Sequence, residues 1–227
     1  MTKNVVERID DRVKINTLLV SVSDKSGLET LIPGMIDLNP DLVILSTGGT
    51  FGRLEQILGS SAGGHLQQVS DYTGQPETQG GLVKTLDFKI YLGLLTETYN
   101  AAHQADLART GARAIDMVVV NLYPFARTVA RAGTTLENAR GDIDIGGPAM
   151  IRAAAKNFIR VASVTDPSDY PDLLEKLTVG GGCLKLSDRF GLARRAFDHT
   201  AAYDRAIADY LAGCSGTDLD TCYKLGG

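Results

Sequence analysis

Thr17–Thr50, TLLVSVSDKSGLETLIPGMIDLNPDLVILSTGGT, decides the fold. Thr17–Ser23 (TLLVSVS) is short, rich in apolar and β-branched residues and bounded by turn formers, so it reads as a buried strand. Leu28–Asp37 carries apolar residues at helical spacing, and Leu42–Ser46 (LVILS) is a second buried strand. Working outward, Thr50–Leu58 is helical, His65–Val69 is a weaker strand and Asp71–Gly81 is a loop by composition. Met117–Leu122 is the clearest strand, closed by Tyr123-Pro124. Pro148–Asn157 opens with a proline suited to a helix start and continues in alanine-rich helix formers. Arg160–Thr165 is a strand, and Asp166-Pro-Ser leads a helix to Leu177. After the break at Gly180–Gly182, Ser187–Leu211 reads as one long helix, with Ser187 as its cap and Leu192, Ala196, Ile207 and Leu211 along one side. Strands alternating with helices predict an α/β fold with a mostly parallel sheet covered on both faces.

Composition narrows the function. The chain has 227 residues, 44% hydrophobic, with a formal net charge of −4. A mildly acidic chain lacks the positive field of a nucleic-acid or anionic-membrane binder. Trp is absent and aromatics are 6%, which disfavours a base-stacking surface. Three cysteines (Cys183, Cys214, Cys222) form no complete disulfide framework, and His65, His103 and His199 lie too far apart for a metal motif. No apolar run approaches the roughly 18 residues of a spanning helix, and residues 1–20 resemble no signal peptide. The expectation is a soluble, cytoplasmic protein without a metal site.

Chemistry collects at predicted strand ends. Ser46–Thr50 (STGGT) lies where a strand gives way to a helix, where glycines admit a ligand and free amides suit a phosphate. It matches neither a dinucleotide fingerprint nor a P-loop. Alone, it serves a phosphate or a plain change of direction equally well. Ser21–Gly27 (SVSDKSG) places Ser23 and Lys25 at the neighbouring strand end, and Asn121 and Tyr123 stand at another. Open parallel sheets bind ligands along this edge. Lys84-Thr85 follow the glycine-rich loop. Asp144 precedes a helix that carries Arg152 and Lys156 four residues apart, on one face. Ala153–Ala155 between them suggests close packing that sends the basic side chains into a cleft. Together these residues point to a phosphorylated small molecule.

In this order, SVSDKSG (Ser21–Gly27), STGGT (Ser46–Thr50), VSDYTGQPE (Val69–Glu77), VKTL (Val83–Leu86), VVVNLYPFARTVA (Val118–Ala130), DIDIGGPAMIRAAAKN (Asp142–Asn157), DPSDY (Asp166–Tyr170) and LARRAFDHTAAYDRAIADYL (Leu192–Leu211) resemble the inosine-monophosphate cyclohydrolase domain family. That domain is usually the amino-terminal half of a bifunctional purine-biosynthesis protein whose other half is a formyltransferase. The resemblance implies a methylglyoxal-synthase-like three-layer fold over 17–211, an extension at 1–16 without assignable role and a tail at 212–227. It implies dehydrative closure of 5-formamidoimidazole-4-carboxamide ribonucleotide to inosine monophosphate, with no cofactor and no metal. By position it puts Lys84, Thr85, Tyr123, Asp144 and Lys156 at the catalytic centre. Lys156 would stabilise charge on the formyl oxygen, Asp144 would orient or deprotonate the carboxamide nitrogen, and Lys84 and Tyr123 would position substrate and relay protons. Lys25, Ser46, Thr47, Gly48, Gly49, Thr50 and Thr85 would hold the 5′-phosphate, and Ser21, Ser23, Asn121, Ile145 and Gly146 would meet the base. A homodimer is implied as well. With the chain ending soon after Leu211, the formyl group would come from a separate formyltransferase.

The resemblance has departures. Where the family reads G-R-V-K-T-L-H-P-K-V-H-G-G, this chain reads Gly81–Gly93, GLVKTLDFKIYLG. Leu82 stands for an arginine, a loss of about 1.5–3 kcal/mol of charge-assisted contact that Lys25, Lys89 or a loop residue would have to replace. Asp87, Phe88 and Tyr91 stand for His-Pro and the second His. Two other readings follow: a nucleotide-binding protein that has lost turnover, and a phosphate lyase of the methylglyoxal-synthase kind, which the residues of 142–157 disfavour.

Overall fold

The computed structural model describes residues 5–75, 84–224 and 226. Five parallel strands run in the order β4-β3-β2-β5-β6: β2 (Thr17–Val22), β3 (Val43–Ser46), β4 (Leu66–Gln68), β5 (Met117–Asn121) and β6 (Ala162–Val164). A separate antiparallel ribbon joins β1 (Arg12–Lys14) to β7 (Cys183–Lys185). The helices are α1 (Leu28–Leu38), α2 (Gly48–Leu58), α3 (Ala62–His65), α4 (Val69–Thr73), α5 (Phe88–Leu95), α6 (Ala101–Thr110), α7 (Phe125–Val129), α8 (Leu136–Gly141), α9 (Gly146–Lys156), α10 (Tyr170–Val179), α11 (Leu186–Ala212) and α12 (Gly216–Cys222).

Alternation along the strands builds two cores. Leu18, Val20, Val22, Met117 and Val119 meet Leu28, Leu31, Ile32, Leu173 and Leu177 of α1 and α10. Leu19, Leu45, Val118 and Val120 turn the other way, onto Ile90, Leu94, Ile151, Ala154 and Ala196 of α5, α9 and α11. The result is the expected three-layer α/β fold, with both faces of a parallel sheet covered.

Several local expectations need correction. Val69 starts α4 instead of ending a strand, and Asp71–Thr73 belong to that helix rather than to a loop; residues 76–81 lie outside the described set. The long helix begins at Leu186, and the Asp188 carboxylate accepts the Lys185 N–H at 3.2 Å, so Ser187 lies within the first turn and caps nothing. Leu211 is 47% exposed, off the packed face that Leu192 and Ala196 share. Arg160 precedes β6 instead of opening it.

Residues before Thr17 do have a structural role. The fully buried Arg189 donates to the carbonyls of Asp10, Asp11, Phe158, Ile159 and Leu184, at 2.6–3.1 Å. One guanidinium thus ties the chain before β1 to β7 and to the turn before β6.

The sheet's two ends do different work. At the amino end, Asp116 accepts the amides of Asn16 and Thr17 at 2.9 and 3.0 Å and pairs with Arg160 at 3.2 Å. Burial pushes the Asp116 carboxyl up, opposed by those amides and the guanidinium. At the carboxyl end the strand order reverses between β2 and β5, since the chain builds outward to β4 before returning to β5. Such a switch point leaves a crevice between diverging connections.

Candidate active site

That crevice is a cavity of about 640 Å³, within the range of small-molecule sites. It is lined by Ser21 and Ser23 at the end of β2, Thr47–Thr50 after β3, Asn121 and Tyr123 at the end of β5, Lys84–Leu86, residues 141–147 leading into α9, and Met150. Of the expected residues, Ser21, Ser23, Lys25, Thr47, Gly48, Gly49, Thr50, Lys84, Thr85, Asn121, Tyr123, Asp144, Ile145 and Gly146 all line it. Ser46 and Lys156 do not.

The β3–α2 turn works through Gly48. Its φ of +47° is a left-handed conformation that a side chain disfavours, and a Cβ there would stand 3.3 Å from Lys84 Nζ. The turn therefore lets the lysine ammonium come against the start of α2, whose first amides point toward the cavity. Lys25 approaches from the other side, its Nζ donating to the Ser23 carbonyl at 3.3 Å. Two cations thus flank the opening of α2, where an anion is favoured.

Some hydroxyls and amides expected to bind ligand are committed to the frame. Ser46 is buried and donates to the Val20 carbonyl at 2.8 Å, which removes it from the cavity. Thr50 Oγ1 both accepts from Val22 N and donates to Val22 O, at 3.1 and 3.0 Å, stitching α2 to β2. Asn121 spends its oxygen and one of its two amide protons on the frame: Oδ1 accepts from Ser23 N and Asp24 N at 2.7 and 2.9 Å, and Nδ2 donates to Asp24 O at 2.8 Å. It shapes the loop carrying Ser23 and Lys25. Asn121→Ala is expected to weaken binding of a nucleoside monophosphate about tenfold, near the worth of one or two hydrogen bonds, as titration calorimetry would show.

Asp144 is held from both sides. Its N–H donates to Tyr203 Oη at 2.8 Å, and its Oδ1 accepts the Gly147 N–H at 2.9 Å. A Cβ at Gly147 would lie 2.4 Å from Asp144 Oδ2 and 2.6 Å from Leu122 Cδ2, so only glycine lets the helix start this close to the carboxylate. Burial raises the Asp144 pKa, and the amides of Gly147 and Gly146 oppose that. A carboxylate poised this way suits proton transfer. Thr85 is buried beside Gly146, whose Cβ would stand 2.7 Å from its Oγ1.

Lys156 and Arg152 depart from the sequence expectation. Ala153–Ala155 are buried as the packing argument requires, but both basic side chains are exposed. The Arg152 guanidinium lies 5.5 Å from the Phe197 ring centroid. Lys156 ends α9 at the opposite pole from Gly146, about 15 Å away by the helical rise, beyond the reach of its side chain. Leu82 lies outside the described residues. Lys89, a candidate to replace the missing arginine, instead donates to the Tyr72 carbonyl at 3.2 Å. Lys25 is the candidate that does line the cavity. Sequence reasoning had not singled out Asp142, Gly147 or Tyr203, although Asp142 and Gly147 lie within the quoted 142–157 stretch and Tyr203 within 192–211.

Among the described residues, no group of three or more His, Cys, Asp or Glu is arranged to hold a metal ion, and no helix is long and apolar enough to cross a membrane.

Known proteins resemble this chain over most of its length. Residues 31–149 match the family model of the MGS-like domain, and residues 154–225 match that of the AICARFT/IMPCHase bienzyme. The bifunctional purine biosynthesis protein PurH of Synechococcus sp. (strain CC9605) is 48% identical over 194 residues, 86% of this chain and 36% of that protein. PurH of Neisseria gonorrhoeae (strain NCCP11945) is 46% identical over 212 residues, 93% of this chain and 39% of that protein. The chain therefore spans little more than a third of the curated relatives it matches. The crystal structure of a protein named ForH superposes with a TM-score of 0.69 at 34% identity, covering 85% of this chain and 96% of ForH.

Proposed function

Because the chain belongs to the family of MGS-like domains and AICARFT/IMPCHase bienzymes, we propose that its cavity closes the second ring of a purine nucleotide. The reaction is the dehydrative cyclisation of 5-formamidoimidazole-4-carboxamide ribonucleotide to inosine monophosphate. The observation that carries this reading is the meeting, in one cavity, of a two-lysine anion cradle at α2 and a half-buried carboxylate at α9.

The geometry suggests a division of labour. The 5′-phosphate lies against Gly48, Gly49 and Thr47, with Lys25 supplying charge. The imidazole and its two substituents then extend toward Tyr123, Ile145 and Asp144. An amide nitrogen is a weak nucleophile and a formamide a weak electrophile, so alignment is a large part of the catalysis. The carboxamide nitrogen adds to the formyl carbon while Asp144 takes a proton from it. Lys84 stabilises the developing oxyanion. The oxygen then leaves as water with two protons, the one Asp144 took from the carboxamide nitrogen and one that the former formamide nitrogen gives up, relayed through Tyr123. Asp144 serves as base only when ionised, and its pKa is raised, so the rate falls as pH drops through that value.

Within one chain Lys156 plays no part in this scheme. Its exposed place at the far end of α9 favours a second reading of its role, in which the homodimer brings it to the partner's cavity. Mixing Asp144→Ala with Lys156→Ala then restores turnover that neither variant has alone. Full activity of Lys156→Ala by itself removes the lysine from the mechanism.

The function itself is tested with the formylated ribonucleotide and no folate. Production of inosine monophosphate well above the spontaneous background is the expected result. Tight nucleotide binding without turnover would leave a binding protein on this scaffold. The same reading places the protein in the cytoplasm, beside a formyltransferase that supplies its substrate.

A further inference from the structure

The loop between α8 and α9, residues 142–145, carries the Asp144 carboxylate. The Gly147 N–H holds that carboxylate to the start of α9, but this bond is local and would travel with the loop. Ile143 packs against the core, and an apolar contact of that kind is non-directional. Two polar side chains from other elements give the loop a defined seat. Tyr203 of α11 is buried, and its hydroxyl bridges the loop: it accepts the Asp144 N–H at 2.8 Å and donates to the Asp142 carbonyl at 3.3 Å. One phenol thereby acts as donor and acceptor at once, spending its single proton on the main chain. Thr128 of α7 is buried as well, and its Oγ1 donates to Asp142 Oδ2 at 2.7 Å. Thr134 Oγ1 in turn donates to the Thr128 carbonyl at 2.8 Å, so the end of α7 is itself held.

These ties converge on one support. The Phe125 ring of α7 meets the rings of Tyr203 and Tyr210 edge-on, with centroids 6.3 and 5.8 Å apart, which seats α7 on α11. The Phe125 N–H donates to the Tyr123 carbonyl at 2.8 Å, so the turn that brings Tyr123 to the cavity is continuous with the helix that holds Asp142. We propose that Tyr203 and Thr128 are positioning residues, a paired brace that sets the 142–144 loop, and with it the Asp144 carboxylate, in register with Tyr123. The proposal rests on the reading above, in which Asp144 takes the carboxamide proton and Tyr123 relays one. Neither brace residue lines the cavity, so each acts through Asp144 rather than on the nucleotide. Proton transfer tolerates little misplacement, and a shift of about 1 Å at the reacting atoms costs about 10²-fold.

Tyr203→Phe and Thr128→Val each remove one hydroxyl and keep the shape of the side chain. Either is expected to lower kcat for the formylated ribonucleotide about 10- to 100-fold, with affinity for inosine monophosphate changed less than about threefold. The double variant costs less than the product of the two single losses, because both bonds hold one loop. Thr128→Ser keeps the hydroxyl and restores the rate that Thr128→Val loses. Tyr210→Phe keeps its ring on Phe125 and leaves both bonds to the loop in place, so it turns over as the unmodified protein does. Amide hydrogen exchange reads the brace with no substrate present. In Tyr203→Phe the Asp144 N–H exchanges about tenfold faster, while amides in the middle of α9 keep their protection. Unaltered turnover in both single variants, or a parallel loss of turnover and nucleotide affinity, overturns the proposal, as does unchanged exchange at Asp144. Absence of turnover in the unmodified protein overturns the cyclohydrolase reading instead, and the exchange rates still decide whether the Tyr203 hydroxyl holds the loop.

Discussion

Replacing Asp144 with alanine is expected to lower turnover of the formylated ribonucleotide by about 10²- to 10⁴-fold, the usual worth of a positioned general base. Nucleotide binding should survive, because the anion cradle at Gly48–Gly49 and Lys25 belongs to other elements than α9. The loop should also survive. Tyr203 still accepts the N–H of residue 144, and what is lost is the carboxylate's hold on the Gly147 and Gly146 amides. Asp144→Asn separates the roles further, since its amide oxygen can keep the Gly147 contact but cannot accept a proton. If the asparagine variant also loses turnover, the missing function is proton transfer rather than the shape of the helix start. Steady-state kinetics with titration calorimetry on the same preparations checks both halves of this prediction. Near-normal rates in either variant would remove Asp144 from the mechanism.

The second large effect concerns stability at the other end of the sheet. Arg160→Met is expected to cost about 3–5 kcal/mol, the usual result of removing one partner of a buried pair. Arg160 is buried and donates to the carbonyls of Thr96, Ile115 and Gly93 as well as to Asp116. Its loss leaves the buried Asp116 carboxylate without its cation and the Ile115 carbonyl without its side-chain donor, while the Thr96 and Gly93 carbonyls keep Asn157 Nδ2 and the Ile115 N–H. Asn157 does not replace it, because its Nδ2 is already shared between the carbonyls of Leu94 and Thr96 at 2.8 and 2.9 Å. Urea unfolding gives the measurement, and a loss under about 1 kcal/mol would show that solvent or neighbours satisfy these groups. Activity per folded molecule should change little, since the pair lies at the amino ends of strands whose carboxyl ends carry the cavity.

Much of this architecture was legible in the residues. Four of the five parallel strands announce themselves because burial on both faces demands nearly continuous apolar runs, as in Thr17–Val22 and Met117–Asn121, whereas β4 (LQQ) is only half-buried and gives a weaker signal. The β1–β7 ribbon does not, because three-residue strands with exposed ends carry no periodic signal. The cavity was foreseeable from strand ends, but the work of each side chain there was not. Ser46, Thr50 and Asn121 have the chemistry of phosphate and base ligands, yet their polar atoms close gaps in the backbone network. Short polar side chains do either job, and only the neighbours decide. Lys156 stands apart for a different reason. It is near Asp144 in sequence, but the helix between them converts that nearness into distance. Tyr203 lies within a quoted stretch, but its contact with the Asp144 N–H could not be read there, because it comes from α11, far along the chain.

The central claim is that one cavity at the β2–β5 switch point holds the nucleotide with its phosphate at α2 and its base at α9. A crystal structure with inosine monophosphate bound tests it most directly. The account predicts phosphate oxygens within hydrogen-bonding distance of the Gly48 and Gly49 amides and of Lys25, and the six-membered ring beside Asp144. A nucleotide bound elsewhere, or reversed with its phosphate at the start of α9, would contradict it.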